Sequence, residues 1–353
     1  MQDQTARATP ERISELASRL LVQIRETIKS IGDINLQSRV LSINAQIEAA
    51  RAGEAGRSFS VVGQEMVAFS DRIQQAAKLL ERESQSLVLE LVEISRILAT
   101  NVQGTRLADL AYTNIDLVDR NLYERTCDCR WWATDAAMVS ALENTADTAA
   151  IDFASMRLGV ILKAYTVYSD IVLADLSGKV VANGRPREFS SIGTQHQKAP
   201  WFTTAMASAS GDHFGFQTAH LSALGGNRAV LIYSCKVCKG GDANAPALGV
   251  IGVIFKWDEF SQRIIQETPI EPEKKETTRV CIVDKTGHIL ADSANRMLVD
   301  RLDLSAVSSL LPKKRGSEVV LINGRDHLVA HAQSPGFETY RTDWHSFIME
   351  TLA

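Results

Sequence analysis

The apolar positions of this chain change period once along its length. From residue 13 to about residue 122 they recur every three or four residues, and beyond residue 171 they alternate. In the first stretch Ile13, Ala17, Leu20, Ile24, Thr27, Ile31, Ile34, Ser38, Leu41, Ala45 and Glu48 form one heptad seam. Thr9 suits an N-cap and Pro10 the first helical position. A helix of about 42 residues would be a rod about 60 Å long. Gly53 and Gly56 supply a turn, and the rhythm restarts with Phe59, Val62, Met66, Phe69, Ile73, Ala76 and Leu80. It continues through Leu87, Leu91, Ile94 and Leu98 to about Leu122. The pattern predicts an αα-hairpin with unequal arms, its helices brought close at the tip by Ala49, Ala50 and Ala52. A seam that outruns its own partner requires another surface. Two hairpins side by side, a homodimeric four-helix bundle, are the simplest supply.

A dense segment follows, Asn121 to Asp135, with Glu124, Arg125, Asp128 and Arg130 close in sequence. Its neighbouring Trp131 and Trp132 cannot share a helix face, since successive residues lie about 100° apart. One should pack inward and the other against a second domain or subunit. After a helix from Ala149 to about Tyr165, Ile171–Asn183 reads as strand, Asp-x-x-Gly turn, strand. Val280–Asp292 repeats it, Asp284 and Gly287 matching Asp175 and Gly178. This is an internal duplication. Later strands complete each copy: Ala229–Ser234 and Gly249–Trp257 in the first, and Glu318–Ile322, His327–Ala332 and Trp344–Met349 in the second. Pro269, Pro272 and the charged run to Glu276 mark the linker. The expected fold class is α+β, with the hairpin in 1–120, a junction in 121–147, and two modules in 148–268 and 269–353.

Composition narrows the function. A chain of 353 residues is long enough for two or three domains. Its net charge of -4 argues against nucleic acid as a partner. The amino terminus is polar, and the longest apolar run, Leu248–Phe255, is far short of the roughly 20 residues of a membrane span. A cytoplasmic protein without a membrane span is the expectation. No P-loop, G-x-S-x-G or H-E-x-x-H motif is present, so the expectation is no enzyme and no cofactor. Cys127 with Cys129 and Cys235 with Cys238 offer two half-sites for a metal or a redox pair, against the plainer reading of buried thiols.

The run Asn44-Ala45-Gln46-Ile47-Glu48-Ala49-Ala50-Arg51-Ala52-Gly53-Glu54-Ala55-Gly56-Arg57 resembles the signalling tip of methyl-accepting chemotaxis proteins. The resemblance implies a dimeric hairpin that gathers into trimers of dimers and engages a CheA-type histidine kinase and a CheW-type adaptor. By position it implies trimer contacts at Leu36, Asn44, Ile47, Glu48 and Arg51. Kinase or adaptor contacts would fall at Val40, Ile43, Glu54, Ser58 and Val61. Leu36, Arg39 and Ser58 depart from the family's usual aromatic, small polar residue and glycine. From the residues alone, Glu48 and Arg51 are equally an i,i+3 pair on a solvated face.

The duplicated modules after a long helix resemble a double Cache domain, whose halves have a PAS-like fold. Ala199-Pro200-Trp201-Phe202-Thr203-Thr204-Ala205 is similar to that family's pocket-facing element. The resemblance implies a small organic ligand in the first module, at Tyr168, Trp201, Phe202, His213, Phe214, Tyr233 and Lys236, with Asp258 more remote. Aromatic walls would hold its apolar part and a cation would orient an anion. Where amine-binding relatives carry Gly-Val-Asp, this chain has Gly252-Val253-Ile254, which disfavours a free α-amino acid. The expected function is a chemoreceptor-like transducer that senses a small molecule and modulates a chemotaxis kinase. The alternatives are a ligand-independent adaptor of receptor arrays and a metal or redox sensor.

Overall fold

The computed structural model describes residues 10–352. Helix α1 spans Pro10–Arg51, and α2 runs unbroken over Arg57–Trp132. The expected cap at Thr9 lies outside the described residues. By internal contacts the chain divides into two units, one ending at Gln103 and the other starting at Gly104.

In the first unit α1 and α2 pack antiparallel about a tight turn at Gly53–Gly56. Gly56 is required there, because a Cβ would fall 2.0 Å from the Ala49 carbonyl oxygen. Farther along, Asn35 Nδ2 donates to the Ser70 carbonyl at 2.8 Å, and Arg39 pairs with Asp71 at 2.6 Å. Apart from Val88, the buried side chains of these helices are small or polar: Ala17, Asn35, Ser42 and Ala49 on α1, and Ser70 and Ser95 on α2.

This corrects the expected seam. Ala17, Ile24, Ile31 and Ser38 are at least half-buried, but Leu20, Ile34, Leu41 and Glu48 on α1 are exposed. On α2 Phe59, Val62, Met66, Phe69, Leu80, Leu87, Leu91, Ile94 and Leu98 are likewise exposed, Ile34 to 64% and Phe59 to 70%. The packed stripe lies one residue farther along, at Asn35, Ser42, Ser70, Val88 and Ser95. Neighbours on a helix differ by about 100°, so the two stripes face different directions. The larger apolar residues dominate a hydrophobicity pattern, whereas small side chains are what let two helices close on each other. The hairpin therefore carries two stripes, one used within the chain and one left uncovered by it.

The second unit holds the carboxy-terminal part of α2, α3 (Ala136–Glu143), α4 (Thr148–Ala164) and two five-stranded antiparallel sheets. Asp135 caps α3 and Asp147 caps α4, each accepting from backbone N–H groups in the first turn. The first sheet is built from β1 (Tyr168–Asp175), β2 (Val180–Asn183), β3 (Phe214–Ser222), β4 (Arg228–Cys238) and β5 (Ala247–Phe255), in the order β2-β1-β5-β4-β3. Helix α5 (Pro200–Ala207) packs on it, and α6 (Trp257–Glu267) leads out of it. The second sheet, β6 (Thr278–Val283), β7 (Ile289–Asp292), β8 (Arg315–Ile322), β9 (Arg325–Gln333) and β10 (His345–Thr351), repeats that order as β7-β6-β10-β9-β8.

The duplication extends to atomic detail. Asp175 Oδ1 accepts from the N–H groups of Ser177 and Lys179, and Asp284 Oδ1 from those of Thr286 and His288. Gly178 and Gly287 have φ of 82° and 83°, a conformation that costs little only for glycine. Strand β3 had no counterpart in the expected pattern, because its apolar residues do not alternate cleanly. Trp257, expected at a strand end, instead starts α6.

Three apolar clusters hold this unit. The largest gathers Leu107, Ala111, Ile115, Val118 and Leu122 of α2 with one face of each sheet, including Tyr233 and Val253 from the first and Ile282 and Ile348 from the second. A second cluster joins α5 to the opposite face of the first sheet, and a third covers the opposite face of the second.

Candidate functional site

At the hairpin tip Leu36, Val40, Ile43, Asn44, Ile47, Glu48, Arg51, Glu54, Ser58 and Val61 are all exposed. Five of the ten are large apolar side chains, and exposing them together in water is unfavourable without a partner. Glu48 and Arg51 form an i,i+3 ion pair at 2.8 Å.

Residues expected around a ligand fall on two faces of the first sheet. Side chains alternate along a strand, and residues paired across strands share a face. Tyr233 and Lys236, three apart on β4, therefore point in opposite directions. Tyr233 faces α2 with its near neighbour Phe214, and Tyr168 lies on the same side, paired with Phe255. Trp201 and Phe202 lie on the other face with Val172, Ile232 and Ile254. There the Trp201 ring sits so close to Gly252 that a Cβ at that position would meet it at 3.1 Å.

Three further groups, absent from the sequence expectation, join Trp201 on this face. Ser234 Oγ donates to the Trp201 carbonyl at 2.6 Å, Gln217 Oε1 accepts from the Trp201 N–H at 3.4 Å, and the His196 ring lies 5.6 Å from the indole. Burial pushes the His196 pKa down. Lys236 Nζ donates to the Ser208 carbonyl at 2.7 Å. The two-residue period of β4 would have found Ser234 beside Lys236; nothing local in the sequence points to His196 or Gln217. His213 is exposed and hydrogen-bonds Ser210 at 3.2 Å. Asp258 is on α6, paired with Arg228 at 2.8 Å.

The other face of the sheet is tied to α2 by buried polar groups. Asp128 accepts a short hydrogen bond from the Tyr168 hydroxyl and pairs with Arg125 at 3.3 Å. Burial raises the Asp128 carboxyl, while Tyr168 and Arg125 pull it back down. Arg125 also contacts Glu124 at 2.9 Å, whereas Arg130 turns away to the Thr126 and Asp212 carbonyls. Trp132 is buried edge-on against Tyr165 and Tyr168, and Trp131 is exposed, the opposed pair that their adjacency required. Two and a half turns before Asp128, Asp119 of α2 is fully buried and accepts from the loop between β9 and β10. Its Oδ2 accepts from Ser334 Oγ at 2.5 Å and the Gly336 N–H at 2.7 Å, and its Oδ1 from Thr342 Oγ1 at 2.8 Å. From the same loop the Tyr340 hydroxyl bonds that of Tyr233 at 2.7 Å. One loop thus touches both α2 and the first sheet.

Among the described residues no group of three or more His, Cys, Asp or Glu side chains is placed to hold a metal ion. Cys129, Cys235 and Cys238 are buried and Cys127 is partly exposed. Burial pushes the buried thiols up, Cys235 to about 12, which disfavours the reactive thiolate.

Residues 3–117 match the model of the methyl-accepting chemotaxis protein (MCP) signalling domain. The chain is 36% identical over 101 residues to transducer protein Htr18 of Halobacterium salinarum, which covers 28% of this chain and 12% of that protein. It is 37% identical over 81 residues to methyl-accepting chemotaxis protein McpC of Bacillus subtilis, covering 21% and 12%. The matched part thus spans about an eighth of these relatives. In fold, the chain is similar to the ligand-binding domain of Campylobacter jejuni chemoreceptor Tlp3, solved in complex with L-norvaline. The TM-score is 0.53 at 16% identity, over 70% of this chain and 90% of that one. The sensor domain of V. cholerae histidine kinase DctB gives 0.52 at 15% identity, over 70% and 98%. The amino-terminal hairpin is thus similar to the signalling domain of the methyl-accepting chemotaxis proteins, and the two modules after it share the fold of these double Cache, PAS-like sensor domains. No helix among the described residues is long and apolar enough to cross a membrane.

Proposed function

We propose that this protein is a cytoplasmic, non-enzymatic chemoreceptor-like transducer. A small molecule bound by the Cache fold changes the packing of α2, and the hairpin tip passes that change to a CheA-type kinase through a CheW-type adaptor. The observation that carries the reading is α2 itself. It begins in the matched hairpin at Arg57 and ends, 76 residues later, among the buried carboxylates Asp119 and Asp128. Two sensing sheets are bonded to the helix that also forms half of the signalling element. The domain division that fits this role is the hairpin, a junction near residues 121–147, and the two modules.

The uncovered apolar stripe supports a homodimer, with Ile34, Leu41, Phe59, Val62, Met66 and Phe69 as its seam. The exposed tip residues then remain available for trimer contact at Leu36, Asn44, Ile47, Glu48 and Arg51. Contact with kinase or adaptor would use Val40, Ile43, Glu54, Ser58 and Val61. For the ligand, Trp201, Phe202 and Lys236 on one face of the first sheet are the core of the proposed site, with Phe214 and His213 at its margin. Tyr168 and Tyr233 act from behind, as links to α2. Ile254, buried on the Trp201 face, offers no carboxylate to an ammonium group, which favours a ligand other than a free α-amino acid.

The test is a reconstituted kinase assay with purified kinase and adaptor, screened against metabolites. Kinase activity should depend on this protein, respond to at least one metabolite, and lose that response in Trp201→Ala. Glu48→Ala with Val40→Ala should abolish control while leaving metabolite binding intact. A kinase indifferent to the protein under all conditions sinks the reading.

A further inference from the structure

A cavity of about 430 Å3 lies between α2 and the second sheet, lined by Tyr112, Lys314, Arg315, Gln333, Arg341 and the Ser334–Pro335 step. That volume is at the lower end of small-molecule pockets, roughly 300–1,000 Å3. Three of the lining residues are cations and none is a carboxylate, in a chain whose net charge is -4. Two of the cations have acidic neighbours outside the lining. Arg315 meets Asp109 at 3.0 Å and lies over the Tyr112 ring at 5.6 Å, and Arg341 meets Asp343 at 2.7 Å. Both pairs are about half exposed, the kind that contributes little and exchanges partners at small cost. Among the described residues the Lys314 ammonium has no carboxylate partner.

The surroundings give this concentration of charge a consequence. Tyr112 belongs to α2 and lies seven residues before Asp119, so both are on the same side of that helix. Ser334, at the cavity wall, is the residue whose hydroxyl donates to Asp119. Arg341 is next to Thr342, the second hydroxyl that donates to the same carboxylate. An occupant held by Lys314 and the two guanidiniums would therefore bear on α2 directly and on the loop that grips it. Through Tyr340 the same loop also reaches Tyr233 of the first sheet.

We infer that this cavity is a second effector site, taking a small dianion such as a dicarboxylate or a phosphate-bearing metabolite. Planar guanidiniums suit bidentate binding of either group, and Lys314 adds a point charge. The inference stands apart from ligand binding at the Trp201 face and from kinase control.

The test is calorimetric titration and thermal unfolding of the full chain with inorganic phosphate and with succinate, sodium chloride holding ionic strength constant. Saturable heat and a raised unfolding midpoint are expected from at least one probe. The apparent affinity should fall by about tenfold or more in Lys314→Gln with Arg341→Gln. It should be unchanged in Trp201→Ala. Phosphate alone binding indicates a phosphate ester as the natural occupant, and succinate alone a dicarboxylate. The inference is overturned if neither probe gives a saturable signal beyond the salt control. It is equally overturned if the double variant, folded by its own unfolding transition, binds as the parent does.

Discussion

The two Cache modules share one topology and solve the same local problem with different chemistry. At the start of β1 and end of β2 the first module places Asp170 and Asn183; the second places Arg279 and Asp292 at the matching positions of β6 and β7. Asp170 accepts from Asn183 at 2.8 Å and from the N–H groups of Ile171, Gly184 and Arg185. Asp292 accepts from Arg279 at 2.7 and 2.9 Å and from the N–H groups of Ala294 and Arg296. In each case one buried carboxylate gathers the backbone that follows the second strand, but it has moved from one strand to the other. Duplication preserves a required interaction while the residues that make it are free to exchange. The partner decides the electrostatics. An amide leaves Asp170 uncompensated, and burial pushes its carboxyl up to about 6. A guanidinium stands directly against Asp292.

Removing the gathering carboxylate should have the largest effect. Asp170→Ala removes the carboxylate that the Ile171 and Arg185 N–H groups donate to. It also removes one of the acceptors shared by the Gly184 N–H and the Asn183 amide, which keep the Ile171 and Phe189 carbonyls and the Ser191 hydroxyl. The substitution should cost about 3 kcal/mol in denaturant unfolding. A loss below about 1 kcal/mol would show that water replaces it.

The modules should also differ in sign with pH. The folded pKa of Asp170 lies above the unfolded value, so its contribution is best below about pH 4 and declines as pH rises to about 6. In the second module His331 is buried, its Nε2 2.8 Å from His345 Nδ1, and burial holds it down at about 4. Its folded pKa lies below the unfolded value. Stability is therefore intact above about pH 6.5 and lost as pH falls towards 4, by up to about 3 kcal/mol. The two slopes oppose each other. Asp170→Asn should make the protein more acid-sensitive over that range, and His331→Gln should make it less so. Unfolding midpoints between about pH 4 and 7 read both; a parallel response in the two variants would break the contrast.

The links to α2 give smaller effects. Tyr168→Phe, which strips Asp128 of its hydroxyl partner beside Arg125, should cost about 1–2 kcal/mol. Tyr233→Phe removes only the hydroxyl pair with Tyr340, worth about 1 kcal/mol. If both modules act on α2, the first variant should weaken the metabolite response of the kinase more than the second.

Much of this was legible in the chain. The hairpin, its turn at Gly53–Gly56, the tip motif and the duplicated Asp-x-x-Gly hairpins all depend on residues close in sequence. Their geometry follows from helical period, strand alternation and positive-φ glycine. The seam was legible only in part. Hydrophobicity located Ile34, Leu41 and Phe59 correctly as a stripe, but the stripe that closes the hairpin is the one carrying Asn35, Ser42 and Ser70. Size and complementarity, not apolarity, select that face. The ligand residues were least legible. Trp201 and Tyr233 are both large and aromatic, and only the strand direction separates the sheet's outer face from its α2 face.

By itself, then, the sequence determined the hairpin and its tip motif, the two-module plan and the turns, because each is encoded over a few residues by backbone preference and periodicity. Tertiary structure alone decided that Asp119 reads a loop more than 200 residues away. It also decided that Tyr340 reaches Tyr233 and that Lys314, Arg315 and Arg341 meet beside Tyr112. Those meetings depend on how two sheets close on one helix. No local pattern carries that information, since a buried carboxylate or an exposed lysine is the same residue type wherever its partner comes from.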